Sequence, residues 1–198
     1  MHKASTKDKI LDSALTLFAE KGYDGVGVDL IAEKAGIKGP SLYKHFKGKE
    51  EILNALIDKV EDYYQTNFGS EINPGIITSS MEELIHISLG RIRFTLHDET
   101  IKKTRKILAM EQFRNHHIAE LATKHSVDGI QLMYRKILQG MILNGVIRKE
   151  DSALLSMEFA SPITLLIQMC DREPDREQEA MERMEAHLRH FANVYGVP

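Results

Sequence analysis

Five lysines, one histidine and no acid lie in the window from Lys34 to Lys49, in a chain whose formal net charge is −3. Lys34, Lys38, Lys44, His45, Lys47 and Lys49 together could hold phosphate oxygens, and the window is bounded by Glu33 and Glu50. A charge run alone is more often a solvated face, so the elements beneath it must decide. Other reactive residues form weaker sets. Glu83-x-x-His86 is one Glu-x-x-His unit where a di-iron bundle needs two. His116 with Glu120, and His187 with His190, can each share a helix face, but two ligands do not complete a metal site. No metal site and no cofactor is expected. The sequence carries no Gly-x-Ser-x-Gly, His-Glu-x-x-His or phosphate-binding glycine loop, and Cys170 sits in an apolar run where a thiol is inert. No catalytic residue is assigned.

The elements that position the lysines read as two short helices joined by a tight turn. Val28, Ile31, Ala32 and Ala35 recur at helical spacing, and Gly36 stands where the first helix must stop. Pro40 suits the first turn of a second helix, whose missing N–H would have been unpaired anyway. Leu42 and Phe46, four apart, share its inner face and leave Ser41, Lys44 and Lys47 outward. This is the pattern of a helix-turn-helix, with a recognition helix over about 40–47 that enters the DNA major groove. Lys38, Gly39, Pro40, Ser41, Tyr43, Lys44, His45 and Lys49 are the candidate DNA-binding residues. Tyr43, Lys44 and Lys49 are expected on phosphates, and Lys38, Ser41 and His45 at or beside bases.

The rest of the chain is helical. Ser5-Thr6-Lys7-Asp8 predicts a capping box that opens a helix to about Lys21, with Ile10, Leu11, Ala14, Leu15 and Phe18 inside and Leu17 at the edge. Lys3, Lys7 and Lys9 near its start could reach phosphates. Further helices are expected over 49–68 (inner face Ile52, Leu53, Leu56, Ile57, Val60 and Tyr64), 81–97, 100–115, 117–144 with an interruption near 126–128, 151–171 and 175–195. The run GSEINPGIITSS, residues 69–80, is the clearest break. No stretch alternates with period two for long enough to make a strand. The expectation is an all-α protein of about nine helices.

Composition narrows the class. Residues 1–60 hold ten lysines and nine acids, and the remainder sixteen Lys/Arg and twenty acids, so positive surface is confined to the N-terminal part. So little positive charge per recognition unit argues for two copies acting together. One cysteine in 198 residues leaves no disulfide framework and fits a reducing compartment. The first residues lack the apolar core of a signal peptide, and no uncharged apolar stretch of membrane-spanning length is evident. A cytoplasmic protein with no membrane partner is expected.

Over about Ile10–Leu53 the chain resembles the N-terminal domain of the TetR family of bacterial transcriptional regulators. The residues that carry the likeness are Ala14, Leu17 and Phe18, Gly22-Tyr23, Ile31-Ala32, Ala35-Gly36-Ile37, Leu42-Tyr43-Lys44-His45-Phe46 and Lys49-Glu50-Glu51-Ile52-Leu53. It departs from the family pattern at Gly27, where Ser or Thr usually caps the second helix, and at Lys38 and Pro40, where Ser and Gly are common. The resemblance implies a helix-turn-helix domain over 1–48 and a helical ligand-binding and dimerisation domain over 49–198, with the helix at 49–68 as connector. It further implies a homodimeric repressor that leaves a near-palindromic double-stranded DNA operator when a small, largely apolar effector binds. Ser88, Ile92, Met110, Phe113, His117, Tyr134, Met141 and Phe159 are the candidate cavity liners. Met157, Ile167, Met184, Leu188 and Phe191 are the candidate dimer contacts. A regulator of this fold controlled by a protein partner is the alternative, and an all-helical enzyme a remoter one.

Overall fold

The computed structural model describes residues 5–64, 66 and 79–197. Among them the protein is all-α: α1 (Thr6–Lys21), α2 (Val28–Lys34), α3 (Gly39–Leu42), α4 (Lys49–Tyr64), α5 (Met81–His97), α6 (Glu99–Glu111), α7 (His116–Thr123), α8 (Gly129–Leu143), α9 (Ser152–Arg172) and α10 (Glu177–Tyr195). A π-helical turn, Lys124–Asp128, joins α7 to α8, so the expected interruption is a wider turn inside one continuous helical run, which counted once leaves nine helices among the described residues. A Cβ at Gly129 would come within 2.9 Å of the Lys124 carbonyl oxygen, which is why the residue closing that turn has no side chain. The 69–80 break, apart from Ser79 and Ser80, lies outside the described residues, as do Lys3, the stretch of the connector helix beyond Tyr64 except Thr66, and the Tyr64 side chain.

Packing divides the chain into two units. One holds α1–α4 and the segment Glu99–Ala119, and the other holds α5 and the chain from Glu120 onward. A division at residue 48 leaves α4 and α6 out of the first unit, whereas both pack on α1. That placement explains why α1 is buried on more sides than a single stripe: Leu17, Ala19 and Ser13 join Ile10, Leu11, Ala14, Leu15 and Phe18 in the interior. Lys59 of α4 bridges Asp12 and Asp8 of α1 at 2.8 and 3.4 Å, an exposed clip that adds little beside the apolar contact of Ile52, Leu53, Leu56 and Val60.

The capping box is present. Ser5 Oγ accepts from Asp8 N–H at 3.1 Å, and the Asp8 carboxylate accepts from the Ser5 N–H at 3.3 Å. The Ser5 hydroxyl and then the Lys59 ammonium hold the Asp8 carboxyl below the usual range, with a smaller part from the Ser5 N–H. Ser5→Ala is expected to cost roughly 1 kcal/mol, visible as a lower urea midpoint at unchanged slope.

The second unit is a helical body around a continuous apolar core. Leu84, Ile85, Ile92, Leu138, Met141, Phe159, Met184, Leu188 and Phe191 are its centre. The residues at the end of α10 are tied to the loop after α8 by backbone bonds: Arg148 N–H donates to the Tyr195 carbonyl and Val197 N–H to the Val146 carbonyl, both at 2.9 Å. Four of the five expected dimer contacts are part of this subunit's own interior. Ile167, Met184, Leu188 and Phe191 are all buried, since the inner stripes of α9 and α10 pack on each other and on α5 before any partner is needed. Met157 remains exposed, in a stripe with Leu154 and Leu165.

α9 comes nearest to the apolar length that a membrane span requires among the described residues. From Ala153 to Cys170 its one charged residue is Glu158, so by length and composition this helix could cross a membrane. Its inner half, Leu155, Phe159, Ala160, Ile163 and Ile167, lies in the body's core, as a core helix would require. The helix runs through Pro162.

Candidate functional site

The turn between α2 and α3 is closed by two backbone bonds. Gly36 N–H donates to the Glu33 carbonyl and Ile37 N–H to the Ala32 carbonyl, each at 3.0 Å, and Gly36 adopts φ +69°. This is the αL helix stop that glycine accepts without a Cβ clash. Gly27 starts α2 with no side-chain bond, as its lack of a hydroxyl dictates. Lys38 is the extended residue before α3, and Pro40 occupies its first turn.

The recognition segment is shorter than 40–47. α3 ends at Leu42, after which His45 N–H and Phe46 N–H both donate to the Leu42 carbonyl, at 2.8 and 3.0 Å. Glycine and proline at its start supply little helix propensity, and Phe46, buried beside Leu42, draws the chain inward before α4. The Glu51 carboxylate accepts from Lys47 N–H at 2.5 Å and secures the entry to α4. Outward stand Lys38, Pro40, Tyr43, Lys44, His45 and Lys47, all exposed, with Gly39 and Ser41 half-buried between them. Tyr43 is 56 % exposed, far more than an aromatic ring needs for packing. Lys38, Lys44 and Lys47 enter no ion pair among the described residues, so three ammonium groups, a phenol and an imidazole face solvent on one short segment. That arrangement can neutralise phosphates and reach a groove edge.

Lys49 differs from the other lysines. Its Nζ donates to the Tyr23 carbonyl at 2.8 Å and lies 4.1 Å from the centre of the Tyr23 ring. The expected phosphate role is therefore corrected to a structural one: Lys49 ties the start of α4 to the loop after α1. The Tyr23 ring packs at a tilt against Phe18 with ring centres 5.3 Å apart, and the Tyr23 N–H donates to Glu111 Oε1 of α6 at 3.0 Å. Burial pushes the Tyr23 phenol up, and Glu50, Asp24 and Glu111 add to the shift. The adjoining Gly22 has φ +73°, and a Cβ there would stand 3.3 Å from Glu111 Oε1. Glu111 is only 4 % exposed, so a carboxylate inside the unit holds the α1–α2 loop to α6. Sequence reasoning missed this junction. Its trace is an acid at the fourth position of the buried row Ile101, Thr104, Leu108, Glu111. Glu111→Ala leaves the Tyr23 N–H unpartnered and is expected to cost about 1–3 kcal/mol, whereas Glu111→Gln keeps an acceptor and loses less; chemical denaturation of the two variants checks this.

Five of the eight expected effector contacts, Ser88, Ile92, Tyr134, Met141 and Phe159, are buried together in the helical body. The other three are corrected. Met110, Phe113 and His117 belong to the first unit, and all are exposed, Phe113 by 90 %. They lie at the end of α6 and the start of α7, where one apolar face covers α1 and the opposite positions face out. Within the body Tyr134 Oη donates to Ser88 Oγ at 3.3 Å, and the Tyr134 ring packs on Phe159 with centres 4.5 Å apart. Burial pushes the Tyr134 phenol up, with the Ser88 bond and Arg91 opposing.

Known proteins resemble the N-terminal part in sequence and the whole chain in fold. The family model described as "Bacterial regulatory proteins, tetR family" matches residues 10–56. The HTH-type negative transcriptional regulator IcaR of the biofilm operon icaADBC in Staphylococcus epidermidis is 48 % identical over 58 residues. That match takes in 29 % of this chain and spans 31 % of the relative's own length, so the similarity in sequence is one of the N-terminal part. Among solved structures, the complex of SmeT with triclosan superposes with a TM-score of 0.75 at 19 % identity, covering 98 % of this chain and 93 % of that one. SmeT is the repressor of the Stenotrophomonas maltophilia multidrug efflux pump SmeDEF. A TetR transcription regulator from Haloarcula marismortui gives a TM-score of 0.76 at 12 % identity over 97 % and 98 % of the two chains. At such identities the superpositions speak for the fold alone, and the sequence match is one of the N-terminal part: residues 10–56 match the TetR family of bacterial regulatory proteins.

Proposed function

We propose that this protein is a homodimeric transcriptional repressor that binds a near-palindromic operator and is released from it by a small, largely apolar effector. The observation that carries the reading is the exposed, acid-free segment Lys38–Lys47, with three lysines outside any ion pair among the described residues, set on a closed helix-turn-helix. Lys38, Lys44 and Lys47 would contact phosphates together with Tyr43, and Ser41 and His45 would approach base edges. Lysine lacks the bidentate fork of arginine, so phosphate contact should dominate affinity. The named repressors IcaR and SmeT support the sign of regulation.

Two copies would meet through the outer stripe of α9, Leu154, Met157 and Leu165, and the neighbouring face of α10. Such a stripe on a helix already packed on its other side is what an isologous interface needs, and it accounts for apolar content all round α9. The two recognition segments would then lie about one helical turn, ~34–36 Å, apart on the operator. The triclosan complex of SmeT supports a small molecule as the effector. Binding in the body would bias α5; α6 follows it after the single residue Asp98 and holds Tyr23 through Glu111. The effector must favour the non-binding state by its differential affinity.

Footprinting of the DNA upstream of the protein's own gene at two salt concentrations tests the reading. The expected result is a protected near-palindrome whose occupancy falls steeply with salt. Genome-wide selection of bound fragments that returns no enriched palindrome would sink it.

A further inference from the structure

We infer that the outer face of α6 and the turn after it form a docking surface for an acidic amphipathic helix of a protein partner, an input beyond release by a small effector. Between Thr100 and Ala119 lie five Lys/Arg, and the single acid there, Glu111, is buried. Lys102, Lys106, Ala109, Met110 and Phe113 are all exposed, and the helical period sets them within an arc of about 100°. Lys102 and Lys106 enter no ion pair among the described residues, whereas Lys103 is spent on Thr16 and Glu99. The stripe therefore runs from two solvent-facing ammonium groups at one end to Met110 and Phe113 at the other.

Phe113 is the most exposed large apolar side chain among the described residues, and its backbone is held. Arg114 N–H and Asn115 N–H both donate to the Glu111 carbonyl at 3.0 Å and close the turn. The Glu111 carboxylate is in turn bound inside the unit by the Tyr23 N–H. A projecting ring on a fixed turn loses little freedom when a partner covers it, which is the character of an interface anchor. Charge names the partner's chemistry. Carboxylates one helical turn apart would face Lys102 and Lys106, and apolar side chains further along the same helix would enclose Met110 and Phe113. A second copy of this chain is a poorer match, because along α10 Glu179 and Glu185 already pair with Arg176, Arg183 and Arg189. A helix that lies on lipid sets its cations beside a broad apolar face along its whole length, whereas here the two kinds of residue succeed each other along the axis. Since the Phe113 turn hangs on Glu111, and Glu111 on the loop before α2, a helix bound there would act within the DNA-binding unit.

The test is fluorescence anisotropy of the full chain with a labelled synthetic helix of about sixteen residues. One face carries glutamates in its first half and leucines in its second; the control peptide has lysine for each glutamate. Wild-type protein is expected to bind the acidic peptide at least about ten-fold more tightly than the basic one, with an affinity that falls as salt rises. Phe113→Ala should weaken the acidic peptide at least about ten-fold, and Lys102→Glu with Lys106→Glu should reverse the preference. All three side chains are exposed, so the thermal melt should stay in place and guards against a misfolded variant. No preference in the wild type, no binding of either peptide, or an affinity unmoved by Phe113→Ala overturns the surface. Tighter binding to phosphatidylglycerol vesicles, lost in Phe113→Ala, gives the stripe to a membrane and overturns it too. So does a dimer that dissociates in Phe113→Ala by ultracentrifugation, which gives the stripe to a second copy. Operator binding by Phe113→Ala should equal that of the wild type; a wild type that binds no operator strikes the regulator reading and leaves the peptide result standing.

Discussion

Replacing Lys38, Lys44 and Lys47 together by alanine is expected to abolish operator binding while leaving the fold intact. All three are exposed and outside any ion pair among the described residues, so their loss removes no internal contact of the first unit. Surface substitutions of this kind change stability by within about 0.5 kcal/mol. Their effect on DNA is of another order. Each phosphate contact contributes about 0.9 to the slope of log affinity against log salt, and a dimer loses six such contacts. The slope should therefore fall by roughly 5, and affinity near 0.15 M salt by more than about a thousand-fold. Restoring arginine instead of alanine should recover affinity, since phosphates accept either cation. Fluorescence anisotropy over a salt series, beside a thermal melt, reads both quantities. Lys49→Ala gives the contrast: it removes the bond to the Tyr23 carbonyl and the cation over the Tyr23 ring, so it should show first in the melt.

Phe159→Ala is expected to be the most damaging single truncation in the body. The ring is fully buried and meets three others, Tyr134 at 4.5 Å, Phe191 at 4.9 Å edge-on, and His187 at 6.4 Å between centres. His187 Nε2 also lies 3.1 Å from the Phe159 carbonyl oxygen, so α9 and α10 meet around this one residue. Emptying the site should cost about 3–5 kcal/mol, a large part of the ~5–15 kcal/mol that holds a domain folded. Urea denaturation at fixed protein concentration checks it, the concentration being held because a dimer's midpoint depends on it. Leu165→Ala on the outer face of the same helix should behave in the opposite way. At 63 % exposure it contributes little to the subunit's own core, so the loss should appear in the dimer dissociation constant measured by ultracentrifugation.

Much of this protein was determined by the sequence alone, wherever neighbouring residues settle their own structure. The Ser5 capping box, the αL stop at Gly36 with the apolar pair Leu42 and Phe46, and the exact span of α5 are local matters of hydrogen bonding, glycine φ and helical period. The lysine window was equally legible, because charge on a short exposed segment needs no distant partner to be recognised. The tertiary structure alone decided what depends on contacts far apart in the chain. Lys49 reads as one more lysine until Tyr23, 26 residues earlier, takes its ammonium group. Glu111 reads as a surface acid until the loop after α1, 88 residues away, donates to it. Ile167, Met184, Leu188 and Phe191 pass from dimer face to core because α9 and α10 bury each other first. Helical periodicity says which side of a helix is apolar; it does not say which helix covers that side, since the hydrophobic effect has no direction of its own.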